Sequence, residues 1–128
     1  MQDRVIYEFA IIRFVPKVER EEFINIGVLL FSKRKKFLGI KYAINEKRLE
    51  AFATNFSTQN LEEYLKAWET ICIGESTQSP ICAMELSDRF RWLAAAKSTI
   101  LQCSKTHTGL CHSPQMELDG LFERFITI

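Results

Sequence analysis

Three apolar segments in the first part of the chain have the composition and pattern of β-strands. They cover residues 5–15, 23–31 and 37–43 and are rich in β-branched and aromatic side chains. The first two are apolar on both alternating faces, which is typical of strands inside a sheet. Short polar connections at 16–22 and 32–36 have lengths that suit neighbouring strands. The pattern therefore predicts an antiparallel meander.

Two further segments repeat apolar residues at helical spacing. Asn45 is a suitable N-cap for the first helix. Its apolar face consists of Leu49, Phe52, Ala53 and Phe56. Asn60 and Glu63 resemble a capping box for the second helix, which Gly74 ends. The apolar stripe of that helix consists of Leu61, Tyr64, Leu65, Trp68, Ile71 and Cys72. Both helices are predicted to cover the sheet.

The remaining part of the chain contains a loop and three shorter elements. Residues 75–80 are small and polar and are expected to form the loop. Ser87 or Asp88 is expected to cap a short helix that reaches Ala95, and residues 98–103 are expected to form a fourth strand. The third element is a C-terminal helix.

Ser113 followed by Pro114 is a typical start for this last helix. Its apolar face consists of Leu118, Leu121, Phe122 and Phe125. Taken together, the elements predict the α+β class, with a mostly antiparallel meander sheet covered by helices and a C-terminal helix that closes the core. We expect residues 1–128 to form a single domain.

The composition narrows the class of protein. With 47% hydrophobic and 26% charged residues, the chain resembles a globular protein and differs from a disordered one. The formal net charge of +1 gives no overall field that would attract nucleic acid or anionic lipid. Glu8 and Arg13 interrupt the first apolar segment, which therefore does not resemble a signal peptide. We expect a cytoplasmic protein with no membrane contact.

Cysteine and histidine are the residue types that most often indicate a zinc site. The four cysteines are Cys72, Cys82, Cys103 and Cys111. Cys103, His107, Cys111 and His112 lie near one another in sequence, but the thiols do not form the paired knuckles of structural zinc sites. In a chain with no export signal, reduced thiols are the expected state. We therefore expect no disulfide, no metal and no other cofactor.

Charged and amide side chains cluster around the connection between the first two predicted strands. They are Arg13, Arg20, Glu22 and Asn25. Arg20 and Glu22 project to the same side of an extended segment, where an ion pair would lock the connection. The alternative is that a free guanidinium binds a phosphate or carboxylate of a partner. Gly27 indicates close approach of a neighbouring backbone or side chain.

Cations alternate with aromatic residues at positions 88–93. Arg89, Arg91 and Trp92 are residue types that recur at binding hot spots, and arginine can clamp an acidic partner. An ordinary amphipathic surface element has the same pattern. The sequence leaves both interpretations open.

A compact basic run occupies the second polar connection. It consists of Lys33, Arg34, Lys35 and Lys36. Such a run could contact phosphates, and that binding would weaken as salt rises. An exposed hairpin tip also needs charge for solubility, and no aromatic residues are interleaved with the cations. We therefore do not expect nucleic-acid binding.

Several motifs together resemble a known family. The first half contributes Ile-Arg-Phe-Val-Pro at 12–16 and Arg-x-Glu-Phe-Ile-Asn-Ile-Gly-Val at 20–28. The second half contributes motifs at 89–95, 107–109 and 118–122. With these motifs the chain resembles the bacterial domain-of-unknown-function family 3037 over nearly its whole length. It departs from the family pattern at Glu21, where glycine is common, and at Ala96-Lys97, where Pro-Arg is common.

The resemblance implies a setting and no established activity. It implies a protein partner, a HipA-like kinase, in defence or toxin regulation. We therefore expect a non-enzymatic accessory module that binds another protein. Its candidate partner-binding residues are Arg13, Arg20, Glu22, Asn25, Arg89, Arg91 and Trp92.

Two alternative functions remain open. One is a nucleic-acid-binding regulator that uses the basic run at 33–36 together with Arg89 and Arg91. The other is a small enzyme with Glu22 or His107 as its acid or base. The sequence contains no phosphate-binding glycine loop and no nucleophile elbow, so we predict no catalytic residue.

Overall fold

A computed structural model describes residues 3–52, 57–74, 79–95, 97 and 99–127. In chain order the elements are β1 (Val5–Phe14), β2 (Ile24–Ser32), β3 (Phe37–Tyr42), α1 (Glu46–Phe52), α2 (Thr58–Ile73), α3 (Leu86–Ala94), β4 (Leu101–Cys103), β5 (His107–Cys111) and α4 (Pro114–Phe125). A short 3-10 turn at Val18–Arg20 lies between β1 and β2. Strands and helices of this kind confirm the predicted α+β class.

All pairings in the five-stranded sheet are antiparallel. The strand order is β3-β2-β1-β4, and β5 also pairs with β1. Residues 12–14 of β1 pair with β4, whereas residues 5–9 pair with β5. The consecutive pairing of β1, β2 and β3 confirms the meander. β4 is shorter than the predicted strand at 98–103, and β5 was not predicted.

Each face of the sheet packs against different helices. On one face, Ile12, Phe14 and Leu29 belong to a core cluster that includes side chains from α1, α2 and α3. On the other face, Val28 and Leu30 pack with residues of α4. The C-terminal helix therefore closes a second core, as predicted. Because successive side chains of a strand point to opposite faces of the sheet, β1 and β2 contribute residues to both clusters.

Two predicted helix starts are correct. The backbone N–H of Arg48 donates to Asn45 Oδ1 at 3.2 Å, so Asn45 caps α1. The backbone N–H of Met116 donates to Ser113 Oγ at 3.3 Å, so Ser113 caps α4 and a proline follows it. None of the helices in the described ranges is long and apolar enough to cross a membrane.

Two other predicted starts are wrong. α2 is capped by Ser57, whose hydroxyl accepts the N–H of Asn60 at 3.2 Å, so Asn60 lies inside the first turn and is not the cap. α3 begins at Leu86, ahead of both Ser87 and Asp88, and has no side-chain cap. In both cases another polar residue stands close to the helix start, so capping preference alone does not identify the first residue.

Several predicted positions lie outside the described residues: Ala53, Phe56, 75–78, Ala96 and Ser98.

Gly27 fits the prediction of a close approach in β2. A Cβ atom at this position would lie 2.8 Å from the carbonyl oxygen of Lys41 and 2.9 Å from Cβ of Tyr42. Both atoms belong to β3, which pairs with β2 at this point. Glycine therefore permits the two strands to pair here without displacing the backbone.

Candidate functional site

The predicted pair in the first connection is exposed. Nε of Arg20 lies 2.6 Å from Oε1 of Glu22, and the two side chains are 61% and 53% exposed. An ion pair in water contributes about 1 kcal/mol or less to stability. Glu21 lies between them with φ of 58°, in the left-handed region that favours glycine. Glycine, which the resemblance implies at this position, would adopt this backbone conformation without strain.

Arg13 and Asn25 face each other across β1 and β2. The guanidinium carbon of Arg13 lies 4.0 Å from the centre of the Phe23 ring. Nε of Arg13 and Oδ1 of Asn25 are both buried without a hydrogen-bond partner in the described part of the chain. An unsatisfied buried polar atom costs roughly 1–3 kcal/mol, so these two atoms are candidates for contact with a ligand.

Arg89 has its charged group inside the protein. It donates from Nε to the carbonyl of Met84 at 3.1 Å, and from Nη1 to the carbonyls of Ile71 at 2.8 Å and Cys72 at 2.9 Å. Two of these carbonyls belong to the last turn of α2, which has no helical partner for them. Arg89 thus joins α3 to the end of α2. Because only 8% of it is exposed, we leave it out of the binding surface.

Arg91, two positions further along α3, reaches across to β1. Its Nη1 and Nη2 lie 2.9 Å and 2.8 Å from the two carboxylate oxygens of Glu8. This bidentate pair raises the pKa of Arg91, chiefly through the hydrogen bond to Glu8. The pair also neutralises the charge of both side chains at the surface between α3 and the sheet.

Trp92, which follows Arg91 in α3, contacts a different part of the protein. Its ring is partly exposed, and Nζ of Lys97 lies 4.7 Å from its ring centre and 5.5 Å from that of Trp68. Lys97 also donates to the carbonyl of Leu93 at 2.9 Å. A cation that bonds to a carbonyl of the last helical turn stabilises the end of α3. Lys97 therefore has a structural contact at the end of α3.

A groove of about 920 Å³ opens beside the Arg91–Glu8 pair. We call it the basic groove. Its apolar lining includes Ile6 of β1 and Leu110 of β5, which are partners in the strand register. These side chains are 62% and 52% exposed, although both belong to strands of the central sheet. A pair of exposed aliphatic side chains within a concave surface is typical of an interaction site.

Three cations also line the basic groove. Arg4, Lys33 and Arg34 line it, and no ion pair links any of the three to a residue in the described ranges. Lys35 lines a neighbouring hollow, which Arg34 also lines, and Lys36 lies at the end of the turn with φ of 51°. Of the basic run at 33–36, Lys33 and Arg34 therefore line the groove and lie beside its apolar surface.

The candidate acid–base residues His107 and Glu22 contact different parts of the chain. His107 packs its ring 5.2 Å from that of Phe9, while Glu22 pairs with Arg20. No group of three or more metal-ligating side chains is close enough to hold a metal within the described residues. Burial raises the pKa of Cys72 and of Cys103 to about 12, so both thiols stay protonated at neutral pH.

The structure divides the predicted binding residues between two parts of the sheet. Arg13 and Asn25 lie near the end of β1, whereas Arg91 pairs with Glu8 in its first half. Sequence reasoning missed Ile6 and Leu110, because only the pairing of β1 with β5 brings them together. No local pattern in the sequence contains that information.

Comparison with known proteins gives one family and no individual relative. A family model with the description "Protein of unknown function (DUF3037)" matches residues 9–126. No curated protein and no solved structure gives a significant match. The matched range includes Leu110 and the basic run at 33–36, but it begins after Arg4 and Ile6.

Proposed function

This chain belongs to the DUF3037 family, and from that premise we propose that it is a non-enzymatic module that binds another protein. The basic groove takes an acidic segment of the partner that carries apolar side chains. The observation that carries this proposal is the exposed pair Ile6 and Leu110 in a groove that is also lined by Arg4, Lys33 and Arg34, none of which forms an ion pair with another described residue. The setting that we propose is the cytoplasm.

Burial of Ile6 and Leu110 supplies the driving force for binding. Fully burying one aliphatic side chain of this size contributes roughly 1.5–3 kcal/mol. Ile6 and Leu110 each have more than half of their surface available for such burial. Because they belong to paired strands, they lose little freedom when a partner covers them.

The cations that line the groove orient the partner and select for acidic segments. Arg4, Lys33 and Arg34 would attract carboxylates and speed association at low salt. Glu8 is the acidic residue that lines the groove, and its bidentate pair with Arg91 offsets its charge. An acidic partner therefore meets no unpaired carboxylate there.

The class of partner follows from the family resemblance. The resemblance implies an association with HipA-like kinases, so a kinase of that kind is the first partner that we propose to test. The raised pKa values of Cys72 and Cys103, which keep both thiols protonated at neutral pH, also agree with an accessory role. We propose that the module acts by occupying a segment of its partner.

A second candidate function is nucleic-acid binding through the basic run at 33–36. All four of its side chains are exposed. Phosphates would be drawn to all four cations equally, because counterion release depends on charge and not on an apolar neighbour. The groove instead places Lys33 and Arg34 beside Ile6. This arrangement favours a ligand with apolar groups.

Co-purification from the native host tests the proposal. We expect a protein to co-elute in stoichiometric amount with the tagged chain and to be lost from the Leu110→Asp variant. Ile73→Asp is the matched control, because Ile73 is an exposed aliphatic residue of α2 that does not line the groove.

The same experiment separates the alternatives. Co-elution of a protein that is unaffected by Leu110→Asp would contradict the groove as the binding site. Recovery of nucleic acid that is lost on substitution of Lys36 as readily as of Lys33 would support the second candidate instead. Circular dichroism of each variant checks that the fold is intact.

A further inference from the structure

A smaller hollow lies at the opposite end of β2 from the turn at 33–36. It has a volume of about 250 Å³ and lies between the start of β2, the start of α1 and the end of α4. We call it the end hollow. Asn25, Arg48 and Phe122 are among its lining residues. None of these side chains lines the basic groove, so the two surfaces can be tested separately.

Asn25, which lines the end hollow, carries a polar atom with no hydrogen-bond partner in the described part of the chain. Oδ1 of Asn25 is buried, and no donor among the described residues reaches it. An acceptor in this state costs roughly 1–3 kcal/mol unless a bound molecule supplies an N–H or O–H. A ligand that donates a hydrogen bond there would recover that free energy.

The end hollow also holds a cation. Arg48 lines it and forms no ion pair with any residue in the described ranges. The described lining contains no aspartate or glutamate. The guanidinium group can bind a carboxylate through two parallel hydrogen bonds. Its surroundings therefore favour an anion over a cation.

The rest of the lining is mostly apolar, together with Asn45 and Thr127. Ile26 comes from β2, Leu49 from α1, and Phe122 and Ile126 from the C-terminal part of the chain. Ligand pockets for drug-sized molecules usually measure about 300–1,000 Å³. A hollow of about 250 Å³ is too small for a nucleotide and matches one amino-acid residue with its side chain.

We propose that the end hollow binds an apolar carboxylate that also carries an N–H group, the chemistry of an N-acylated apolar amino acid. Arg48 binds the carboxylate, and Oδ1 of Asn25 accepts the N–H. The side chain of the ligand packs against Phe122 and Ile126. Both a free N-acyl amino acid and the C-terminal residue of a polypeptide have this chemistry.

Titration of the isotope-labelled protein with N-acetyl-L-leucine, followed by NMR, tests the proposal. We expect saturable shifts of the backbone signals of Ile26, Arg48 and Phe122. N-acetyl-L-leucine amide lacks the carboxylate, and 4-methylpentanoate lacks the N–H. Each should bind about tenfold more weakly, which corresponds to the loss of one charge-assisted or buried hydrogen bond.

Substitution of the cation gives the matched comparison. Arg48→Gln should weaken binding of N-acetyl-L-leucine about tenfold and leave binding of its amide unchanged. Lys47→Gln is the control, because Lys47 is an exposed neighbour on α1 that does not line the end hollow. Equal binding of the three probes, or equal effects of the two substitutions, would overturn the assignment. So would the absence of saturable shifts.

A pentapeptide that ends in leucine distinguishes the two sources of the ligand. Tighter binding of the pentapeptide than of N-acetyl-L-leucine would support a polypeptide C-terminus. Exclusion of the pentapeptide while N-acetyl-L-leucine still binds would support a free small molecule. Both results retain the chemistry assigned to Arg48 and Asn25.

Discussion

The junction of α2 with α3 and the basic groove each contain an arginine of α3, which is buried at the junction and exposed at the groove. At the junction, Arg89 is buried and donates to three carbonyl groups. At the groove, Arg91 is 56% exposed and pairs with Glu8. The two residues are only two positions apart, so the helix directs one inward and the other outward.

This difference separates stability from binding. The junction uses its polar groups internally, so they are not available to a partner, and removing one leaves carbonyls unsatisfied. The groove leaves Ile6, Leu110 and Lys33 exposed. Substitutions at the junction should therefore lower the free energy of unfolding, and substitutions at the groove should leave the protein folded but unable to bind.

The largest effect on stability is expected for Arg89→Ala. The change removes three hydrogen bonds and leaves the last carbonyls of α2 without their donor. We expect the free energy of unfolding to fall by about 3–5 kcal/mol, as when one partner of a buried charged contact is removed. Urea denaturation measures this value. A loss below that of Arg91→Ala would contradict a structural role for Arg89.

Alkaline pH should weaken the protein through its buried thiols. Cys72 has a folded-state pKa of about 12 against 9.0 for the free thiol, and burial has the same effect on Cys103. The unfolded chain loses these protons above pH 9 while the folded chain keeps them, so stability falls as pH rises from about 9 to about 12.

We expect a loss of about 1 kcal/mol for each thiol by pH 10. Urea denaturation at pH 8 and pH 10 tests this expectation. The Cys72→Ala and Cys103→Ala variants should show a smaller decrease between the two pH values than the original chain. An unchanged decrease would assign the pH dependence to other groups, such as Tyr7 and Tyr42, whose pKa values are also raised by burial.

A smaller effect at the junction is expected for Gly74→Ala. Gly74 ends α2 with φ of 76°, and a Cβ there would lie 2.5 Å from Nη1 of Arg89. The strained backbone and this contact should cost about 1–2 kcal/mol. Gly120→Ala is the control, since a Cβ at Gly120 in α4 meets nothing within 4 Å. It should stabilise by about 0.5–1 kcal/mol. Equal changes in the two variants would contradict the role of Gly74.

The smallest effect on stability is expected for Arg91→Ala at the groove. Its pair with Glu8 is partly exposed, so we expect a loss of about 1 kcal/mol or less. A double-mutant cycle with Glu8→Gln isolates the energy of the pair. A coupling as large as the effect of Arg89→Ala would remove the contrast between the two regions.

Local patterns identified most of the sheet and the two longer helices. Runs of β-branched residues predicted β1, β2 and β3, and helical spacing predicted α2 and α4. Those signals lie within one element, so they can be read without the fold. The start of α2 was wrong because Ser57 and Asn60, which can both cap a helix, lie on either side of it, and the start of α3 was wrong because that helix has no side-chain cap and begins before Ser87 and Asp88.

The candidate sites were harder to predict because they depend on distant parts of the chain. β5 contains Gly109 and polar residues, and it is a strand through its pairing with β1. Leu110 reaches the groove only through that pairing. The end hollow likewise combines Asn25, Arg48 and Phe122 from three elements. Arg89 has the same residue type as Arg91, and only packing distinguishes the buried one from the exposed one.

Site-specific photocrosslinking tests the central claim most directly. A photoreactive phenylalanine analogue is placed at Ile6, at Leu110 or, as the control, at Ile73, and the native host is irradiated. We predict that one protein is captured from Ile6 and Leu110 but not from Ile73. The crosslinked segment should be acidic and carry apolar side chains. Equal capture from Ile73, or capture of nucleic acid from the groove positions, would contradict the account.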